Sequence, residues 1–422
     1  MLTLSSTKNI VNSTIKLTGS KSINNRLLIL NEILELDLIF QNNSTSEDSL
    51  LLKNALSQIK NKKSATINIH HAGTDMRFLT AYLSTKEGEW TLTGSERMKD
   101  RPIGDLVKAL KSLGADIVFL EKENFPPLKI NGKILKGGKI EIDGSVSSQF
   151  ISALLLIAPT FENGITITLK NNIVSWPYIQ MTIDILTEFG LIVCKNLNTI
   201  NVSRSLIAPP KSTIYSIESD WSSASYWFSI VAICNKGEII LTGLKNKSSQ
   251  ADAILTEIYM QLGVSSSFKN NDLVLTKNAN ITSSFEYDFT DCPDIAQTVA
   301  ITCFALGIKA KLTGLKTLKL KESDRIVGLK TELEKFGAIV NITDNSIEIK
   351  EAAHKSQNAG LTNNEFARVT VSTYNDHRMA MSFAPLSILY KEIRIEKPEV
   401  VSKSYPQFWE DLKSAGFNVN LC

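Results

Sequence analysis

Arginine and hydroxyl side chains gather in a few short strings of this chain, and these residue types bind anions. The chain has 422 residues and 46 Lys+Arg, of which nine are arginine. Six of the nine, at positions 26, 77, 97, 101, 325 and 378, fall in the strings. Arginine presents a planar fork that contacts a carboxylate or a phosphate at two points. The strings therefore predict a site for a ligand that carries both phosphate and carboxylate groups.

The strings lie where apolar helices are predicted to begin, and a helix N-terminus favours negative charge. For any one serine, ordinary N-capping is the alternative, and for Asp294 the alternatives are a helix cap and a general base. For the charged string around Lys321, the alternative is a solvated surface. The strings are GSKSINNR (19–26), AGTDMR (72–77), RMKDRPIGDL (97–106), GSVSSQF (144–150), VSWPYI (174–179), DCPDIAQ (291–297), LKLKESDRIVGL (318–329), NDHRMAM (375–381) and SKSYP (402–406).

Composition excludes several classes of protein. The net charge of +3 argues against a nucleic-acid surface. The five cysteines show no metal-binding spacing, which indicates a reducing compartment and no metal. Neither nucleotide-binding glycine fingerprint occurs. The start has no signal-like pattern and no apolar run is long enough to span a bilayer, so we expect a cytoplasmic protein without membrane contact.

A repeat of 73 to 79 residues organises the chain. An amphipathic stretch, a glycine and an alternating apolar run recur, which predicts a helix, its C-terminal glycine and a strand. The glycines are Gly114, Gly190, Gly263, Gly337 and Gly416. Six strongly apolar helical segments recur in phase with them, starting near 22, 74, 147, 222, 294 and 376. The pattern predicts six strand–helix–strand–helix units, divided three and three near residues 218–220.

The strings, in this order, resemble the EPSP synthase family, the 3-phosphoshikimate 1-carboxyvinyltransferases. The string KESDR followed by NDHRMAM carries most of the specificity, and the resemblance extends from about Lys21 to Lys403. It implies an α/β fold of two similar domains, each of three βαβαββ units in an inside-out α/β barrel-like arrangement. The domains would be 19–219 and 1–18 plus 220–422, with hinges near 18–20 and 218–220 and an active site in the cleft.

The resemblance also implies a reaction. The enolpyruvyl group of phosphoenolpyruvate would pass to the 5-hydroxyl of shikimate 3-phosphate, with release of phosphate, on the route to chorismate and the aromatic amino acids. The family needs no metal and no organic cofactor. We expect a monomer whose partners are these two small molecules, with no nucleic acid.

Residue roles come from the resemblance alone. Asp294 would be the base, and Glu322 and Lys21 would serve the other proton transfers. Shikimate 3-phosphate would contact Lys21, Ser22, Arg26, Ser147, Ser148, Gln149, Ser175, Asp294 and Lys321. Phosphoenolpyruvate would contact Lys21, Gly73, Arg101, Gln149, Arg325, Arg378 and Lys403. Arg77, Tyr178 and His377 would support the site.

The sequence departs from the family pattern at three places. His71 stands where Asn is common, Trp176-Pro177 where Lys-Pro is common, and Lys319 where Arg is frequent. These departures affect single contacts more than the reaction. Gly73 is the residue of glyphosate-sensitive members, so we expect sensitivity.

Two other functions stay open at this stage. The sister family, the UDP-N-acetylglucosamine enolpyruvyl transferases, shares the fold but typically has a Lys-Asn pair and a loop cysteine. Here Lys21 precedes Ser22, and no cysteine lies between residues 100 and 130. A non-catalytic anion-binding protein would have lost Asp294 or Glu322, and both are present.

Overall fold

The computed structural model describes residues 1–6, 10–206, 214–352 and 368–421, and the chain divides into two compact units. Unit I is Ser20–Ile217, and unit II combines Met1–Gly19 with Glu218–Cys422. The predicted first domain, 19–219, included Gly19, Glu218 and Ser219, which the structure assigns to unit II. Gly19 and Ser219 form an antiparallel bridge with each other. The hydroxyl of Ser219 also donates to the carbonyl of Leu17 at 2.8 Å, which ties the crossing segments together.

Unit I contains seven helices and ten strands in its described residues. The helices are α1 Lys21–Ile33, α2 Glu47–Ile59, α3 Gly73–Thr85, α4 Glu96–Lys99, α5 Gly104–Ser112, α6 Ser148–Ile157 and α7 Trp176–Glu188. The strands are β3 Ile39–Gln41, β4 Ser64–Asn68, β5 Gly88–Thr93, β6 Asp116–Phe119, β7 Leu128–Gly132, β8 Gly138–Asp143, β9 Ile165–Lys170, β10 Leu191–Asn196, β11 Thr199–Leu206 and β12 Ile214–Ser216.

Unit II contains six helices and twelve strands in the part that the structure describes. The helices are α8 Trp221–Ile233, α9 Leu255–Met260, α10 Ala296–Leu306, α11 Arg325–Lys335, α12 His377–Phe383 and α13 Phe408–Ser414. The strands are β1 Leu2–Ser6, β2 Ile10–Lys16, β13 Lys236–Thr242, β14 Leu262–Lys269, β15 Asp272–Ile281, β16 Ser284–Asp288, β17 Lys309–Thr313, β18 Ala338–Ile342, β19 Ile347–Ala352, β20 Val369–Val371, β21 Ile393–Ile395 and β22 Phe417–Leu421.

Five four-stranded sheets repeat one topology. Their orders are β4-β5-β7-β6 and β8-β9-β11-β10 in unit I, and β2-β13-β15-β14, β16-β17-β19-β18 and β20-β21-β1-β22 in unit II. In each, the first two strands are parallel and the other two are antiparallel to their neighbours. A parallel pair needs a crossover connection, and α3, α6, α10 and α12 lie between such pairs in the chain. This is the βαβαββ unit.

The sixth copy is incomplete. Strand β3 pairs in parallel with β12, and these two strands form a sheet of their own. The helices α1 and α2 of this copy are present, but among the described residues its sheet has no antiparallel strands. In the sequence, the stretch DSLLLKNALSQIK (48–60) is a degenerate copy of the repeated amphipathic pattern, and it falls on α2 of this copy. The N-terminal strands β1 and β2, by contrast, complete sheets of unit II.

Each unit buries its own apolar core, and the six apolar helices lie in these cores as predicted. Trp90 and Phe161 belong to the core of unit I, and Trp221, Trp227 and Phe408 to that of unit II. Burying one such side chain stabilises the fold by about 1.5–3 kcal/mol. No helix of the described residues is long and apolar enough to cross a membrane.

Four of the five repeated glycines end helices, as the pattern predicts, and Gly263 does not. Gly114, Gly190, Gly337 and Gly416 each follow the last capping residue of a helix with φ between 83° and 96°. Glycine adopts this left-handed conformation without steric cost. Gly263 has φ of 85° but lies inside β14, one residue after that strand begins.

Candidate active-site residues

Asp294 lies in a cluster of cations in unit II. It occupies a 3₁₀ turn, Pro293–Ile295, directly before the buried helix α10. Its Oδ1 is 3.1 Å from Arg325 Nη1 and 3.5 Å from Lys321 Nζ, and its Oδ2 is 3.1 Å from Arg378 Nη2. The carboxylate is about one-fifth exposed, so it is accessible to a ligand.

Arg325 organises the carboxylates of this cluster. Its side chain is 1% exposed. The residue is the first of helix α11 and follows the N-cap Asp324. Its Nε donates to Asp376 Oδ2 at 2.8 Å, and its Nη2 donates to Glu322 Oε2 at 2.9 Å. With Asp294 on Nη1, one buried guanidinium therefore holds three carboxylates in place.

These contacts shift the pKa values of both partners. Burial alone would raise the pKa of Asp294, but Arg378, Lys321 and Arg325 hold it well below its usual range. Burial would lower the pKa of Arg325, and its carboxylate neighbours raise it above the usual value instead. Asp294 is therefore ionised at neutral pH and is a weak base while all three cations face it.

Lys321 and Arg325 are four residues apart, a spacing that would place them on one face of a helix, but the string is not helical before Arg325. Lys321 has extended backbone, and α11 begins only at Arg325. The two cations nevertheless converge, because both contact the same oxygen of Asp294. Glu322 points into the cluster as well, with Oε1 3.5 Å from Lys403 Nζ.

Arg378 is held from a second side by a residue that the sequence analysis did not single out. Its Nη2 donates to Ser222 Oγ at 3.3 Å, and the Ser222 hydroxyl donates to Asp252 Oδ2. Its neighbour His377 is 1% exposed, with Nδ1 3.7 Å from Asp376 Oδ1. His377 is thus a buried histidine beside the carboxylate that holds Arg325.

In unit I, Arg26 is a buried cation surrounded by neutral acceptors. Its Nε donates to Thr182 Oγ1 at 2.7 Å, and its Nη2 donates to Ser152 Oγ at 3.2 Å and to the carbonyl of Tyr178 at 3.0 Å. Its Nη1 donates to the carbonyl of Ser22 at 2.8 Å. Burial lowers its pKa to about 10, with Tyr178 opposing the shift. It therefore remains charged at neutral pH with no ion pair among the described residues.

Lys21 begins helix α1 and pairs with Asp48, a second partner that the sequence analysis missed. The Nζ–Oδ2 distance is 2.8 Å, and Asp48 is buried at the start of α2. Asp75 of α3 accepts a hydrogen bond from Asn25 Nδ2 at 2.7 Å. That buried bond links α1 to α3.

Arg101 lies against the first residue of α3. A Cβ built on Gly73 would be 2.4 Å from Arg101 Nη1 and 2.7 Å from its Cζ. Only glycine allows the guanidinium to approach the helix start this closely. Arg77, one turn further on, donates to the carbonyls of Gly73 and Pro102 at 3.1 and 2.9 Å and supports this loop.

The hydroxyl and amide residues of unit I stand at two other helix starts. Ser147 caps α6 by accepting from the backbone N–H of Gln149, and Ser148 begins the helix. Gln149 Nε2 donates to Thr74 Oγ1 at 3.1 Å, which connects α6 to α3. Ser175 precedes α7 in a left-handed conformation with φ of 53° and is buried.

In unit II, direct contacts join the predicted residues around Asp294. In unit I, the predicted residues stand at or near the starts of α1, α3, α6 and α7 and in the loop before α5, and these helices pack on one another. We call the predicted residues of each unit its group. The group in unit I holds Lys21, Ser22, Arg26, Gly73, Arg77, Arg101, Ser147, Ser148, Gln149, Ser175 and Tyr178, and the group in unit II holds Asp294, Lys321, Glu322, Arg325, His377, Arg378 and Lys403. The missed partners are acidic or hydroxyl residues, which became visible only because they contact a predicted cation. Among the described residues, no group of three or more His, Cys, Asp and Glu could hold a metal ion.

Comparison with known proteins assigns the family. A model of EPSP synthase (3-phosphoshikimate 1-carboxyvinyltransferase) matches residues 6–412. The protein named 3-phosphoshikimate 1-carboxyvinyltransferase in Bacteroides fragilis strain YCH46 is 42% identical to this chain over 97% of both chains. The protein of that name in Aliivibrio salmonicida strain LFI1238 is 35% identical over 96% of both. An EPSP synthase structure from Acinetobacter baumannii covers 100% of both chains with a TM-score of 0.74 at 21% identity, which supports the fold. The resemblance of the strings is thereby confirmed, and the chain belongs to the EPSP synthase family.

Proposed function

We propose that the chain performs its family's reaction with the two groups of residues described above. The chain is an enzyme of the 3-phosphoshikimate 1-carboxyvinyltransferase family, which transfers the enolpyruvyl group of phosphoenolpyruvate to the 5-hydroxyl of shikimate 3-phosphate and releases phosphate. One observation carries the proposal for this chain. Asp294, an ionised and accessible carboxylate, faces three cations in a cluster that also contains Glu322.

The cations of both groups suit the two anionic substrates. In unit I, we assign Lys21, Ser22, Arg26, Ser147, Ser148, Gln149 and Ser175 to shikimate 3-phosphate, and Lys21, Gly73, Arg101 and Gln149 to phosphoenolpyruvate. In unit II, we assign Asp294 and Lys321 to shikimate 3-phosphate, and Arg325, Arg378 and Lys403 to phosphoenolpyruvate. Arg26 supports the assignment most directly, because it is buried with neutral acceptors and an anion would give it an ion pair.

Proton transfers then divide among three residues. In the first step, the oxygen of the 5-hydroxyl bonds to C2 of the enolpyruvyl group, Asp294 accepts the proton of that hydroxyl, and C3 gains a proton. In the second step C3 loses a proton and phosphate leaves, which regenerates the double bond. Glu322 and Lys21 serve the transfers at C3 and at the leaving phosphate.

The test is phosphate release by the purified protein. With both substrates and a chelator, but without added metal, the protein should release one phosphate for each enolpyruvyl group transferred. UDP-N-acetylglucosamine in place of shikimate 3-phosphate is the control for the sister activity and should give no release. Binding of both substrates without turnover would leave the non-catalytic alternative and refute the proposal.

Asp294→Ala tests the base assignment. We expect turnover to fall by about 10²–10⁴-fold, the range for a lost general base, while shikimate 3-phosphate still binds. Asp344→Ala is a matched control, since Asp344 pairs with Lys319 on the surface of the same unit. Near-normal turnover by Asp294→Ala would remove this residue from catalysis. We also propose that the enzyme is a monomer, which sedimentation of the purified protein would test, and that it lies in the cytoplasm, which fractionation of the cells that make it would test.

A further inference from the structure

Asp252 is a buried carboxyl in unit II that the proposed reaction does not use. It is 2% exposed and forms no ion pair among the described residues. Its Oδ1 has no hydrogen-bond partner there, and its Oδ2 accepts from the hydroxyl of Ser222. Burying a carboxyl with so few partners is unfavourable, so its presence needs a reason. Burial raises the pKa of Asp252 to about 7, with Asp294 and Asp220 adding to the shift and Arg378 opposing it.

The hydrogen bonds from Asp252 lead to Arg378 in a fixed direction. A serine hydroxyl has one hydrogen to donate and two lone pairs to accept with. Because the Ser222 hydroxyl donates to Asp252, its lone pairs are left to accept from Arg378 Nη2 at 3.3 Å. The same Nη2 is 3.1 Å from Asp294 Oδ2. We call the hydrogen-bonded series Asp252–Ser222–Arg378 the relay. It places the guanidinium of Arg378 between a hydroxyl oxygen and the carboxylate assigned as base.

A purely local role does not account for this arrangement. Asp252 lies in a 3₁₀ turn, Ala251–Ile254, where an acidic side chain often caps the turn's own N–H groups. Its side-chain bond goes instead to Ser222 at the start of α8, 30 residues earlier in the chain. The loop is already attached to the same segment by Gln250, which accepts from the backbone N–H of Trp221 at 3.1 Å. Attachment of the loop therefore does not require Asp252.

We propose that Asp252 is a positioning residue for the enolpyruvyl transfer: through Ser222 it holds the guanidinium of Arg378 against Asp294. The proposal rests on the proposed function, in which Arg378 binds phosphoenolpyruvate. Without Asp252, the Ser222 hydroxyl can turn and donate elsewhere, and Arg378 loses the fixed contact that it makes with this hydroxyl. The side chain of Arg378 must then become ordered when phosphoenolpyruvate binds, and the loss of entropy weakens the binding.

Kinetic constants of four variants test the proposal. We expect Asp252→Ala and Ser222→Ala each to raise KM for phosphoenolpyruvate about tenfold, with KM for shikimate 3-phosphate within about twofold. Asp252→Asn keeps an acceptor of the same shape for the Ser222 hydroxyl, so its KM should stay within about threefold of the wild-type value. The double variant Asp252→Ala, Ser222→Ala should have the same KM for phosphoenolpyruvate as either single variant, because each single change already interrupts the same relay.

Ser248→Ala is the matched control. Ser248 lies in the same loop and donates to Glu218 Oε2 at 2.9 Å, but it does not contact the relay. It should leave both KM values unchanged even if it lowers the thermal midpoint. A wild-type KM for phosphoenolpyruvate in folded Asp252→Ala, or an equal rise in Ser248→Ala, would overturn the proposal. If Asp252→Ala does not fold, Ser222→Ala breaks the relay at its middle and decides the question.

A second readout does not depend on turnover. Phenylglyoxal modifies arginine, and peptide mass spectrometry measures the rate at Arg378 alone. We expect faster modification of Arg378 in Asp252→Ala than in the wild type, and wild-type rates in Asp252→Asn and Ser248→Ala. If the wild type transfers no enolpyruvyl group, the proposed function fails, yet this rate still tests the positioning. Equal rates in wild type and Asp252→Ala would refute it.

Discussion

Replacing Gly73 by alanine should separate substrate binding from stability. The added Cβ would lie 2.4 Å from Arg101 Nη1 and 2.6 Å from Nη2, whereas ordinary contacts begin at 3.4 Å. The guanidinium must therefore withdraw by about 1 Å, which the end of a long side chain can do at small cost. Gly73 is the first residue of α3 and has no positive φ, so its backbone accepts alanine.

The expected loss follows from the contact that Arg101 is proposed to make. A hydrogen bond to a charged group contributes about 1.5–3 kcal/mol, and each 1.4 kcal/mol is a factor of about ten. KM for phosphoenolpyruvate should therefore rise about 10- to 150-fold, and KM for shikimate 3-phosphate should change less than about twofold. Alanine is the better helix former by about 1 kcal/mol, so the free energy of unfolding should not fall.

Gly104→Ala is the matched control for this experiment. Gly104 also begins a helix, α5, and a Cβ there would lie 2.2 Å from Asn124 Oδ1, a side chain outside both groups of site residues. Steady-state phosphate release and urea denaturation of both variants complete the comparison. A wild-type KM for phosphoenolpyruvate in Gly73→Ala, or an equal rise in Gly104→Ala, would refute the argument.

Two further predictions concern the stability of unit II. Arg325→Ala should lower the free energy of unfolding by about 3–5 kcal/mol, because fully buried Asp376 loses its cation; a urea midpoint equal to that of the wild type would contradict this. The second concerns Asp252, whose folded pKa of about 7 exceeds the unfolded value of about 3.9. Folded Asp252 keeps a proton that the unfolded chain releases, so wild-type stability should fall relative to Asp252→Asn as pH rises through that window. A Tm difference that is constant from about pH 4.5 to 8 would contradict it.

The repeat could be predicted from sequence because backbone geometry imposes it. Glycine is required where a helix ends in a left-handed residue, and Gly114, Gly190, Gly337 and Gly416 mark such ends. The incomplete sixth copy was visible only as a weak pattern. Among the described residues its sheet consists of β3 and β12 alone. Because these strands are far apart in the chain, no local pattern predicts their pairing.

The cations of the site were also predictable, but their acidic partners were not. Arg325 and Arg378 stand in strings of unusual composition, whereas Asp252 lies in an ordinary-looking segment, QADAILTE. Its significance depends on a contact across 30 residues, which no local pattern encodes. The spacing of Lys321 and Arg325 suggested a shared helix face. The N-cap Asp324 instead starts the helix at Arg325, and convergence on Asp294 comes from the loop.

The balance of charge in unit II bears on how Asp294, with so low a pKa, would act as the proposed base. Lys321, Arg325 and Arg378 all face Asp294 and lower its affinity for protons. A substrate phosphate or carboxylate that contacts Lys321 and Arg378 neutralises part of that charge and raises the pKa of Asp294. Arg325 stays paired with Asp376 and Glu322 and keeps the carboxylate in position. Asp294 would therefore become an effective base only when anionic substrates are bound, which limits proton transfer to the occupied site.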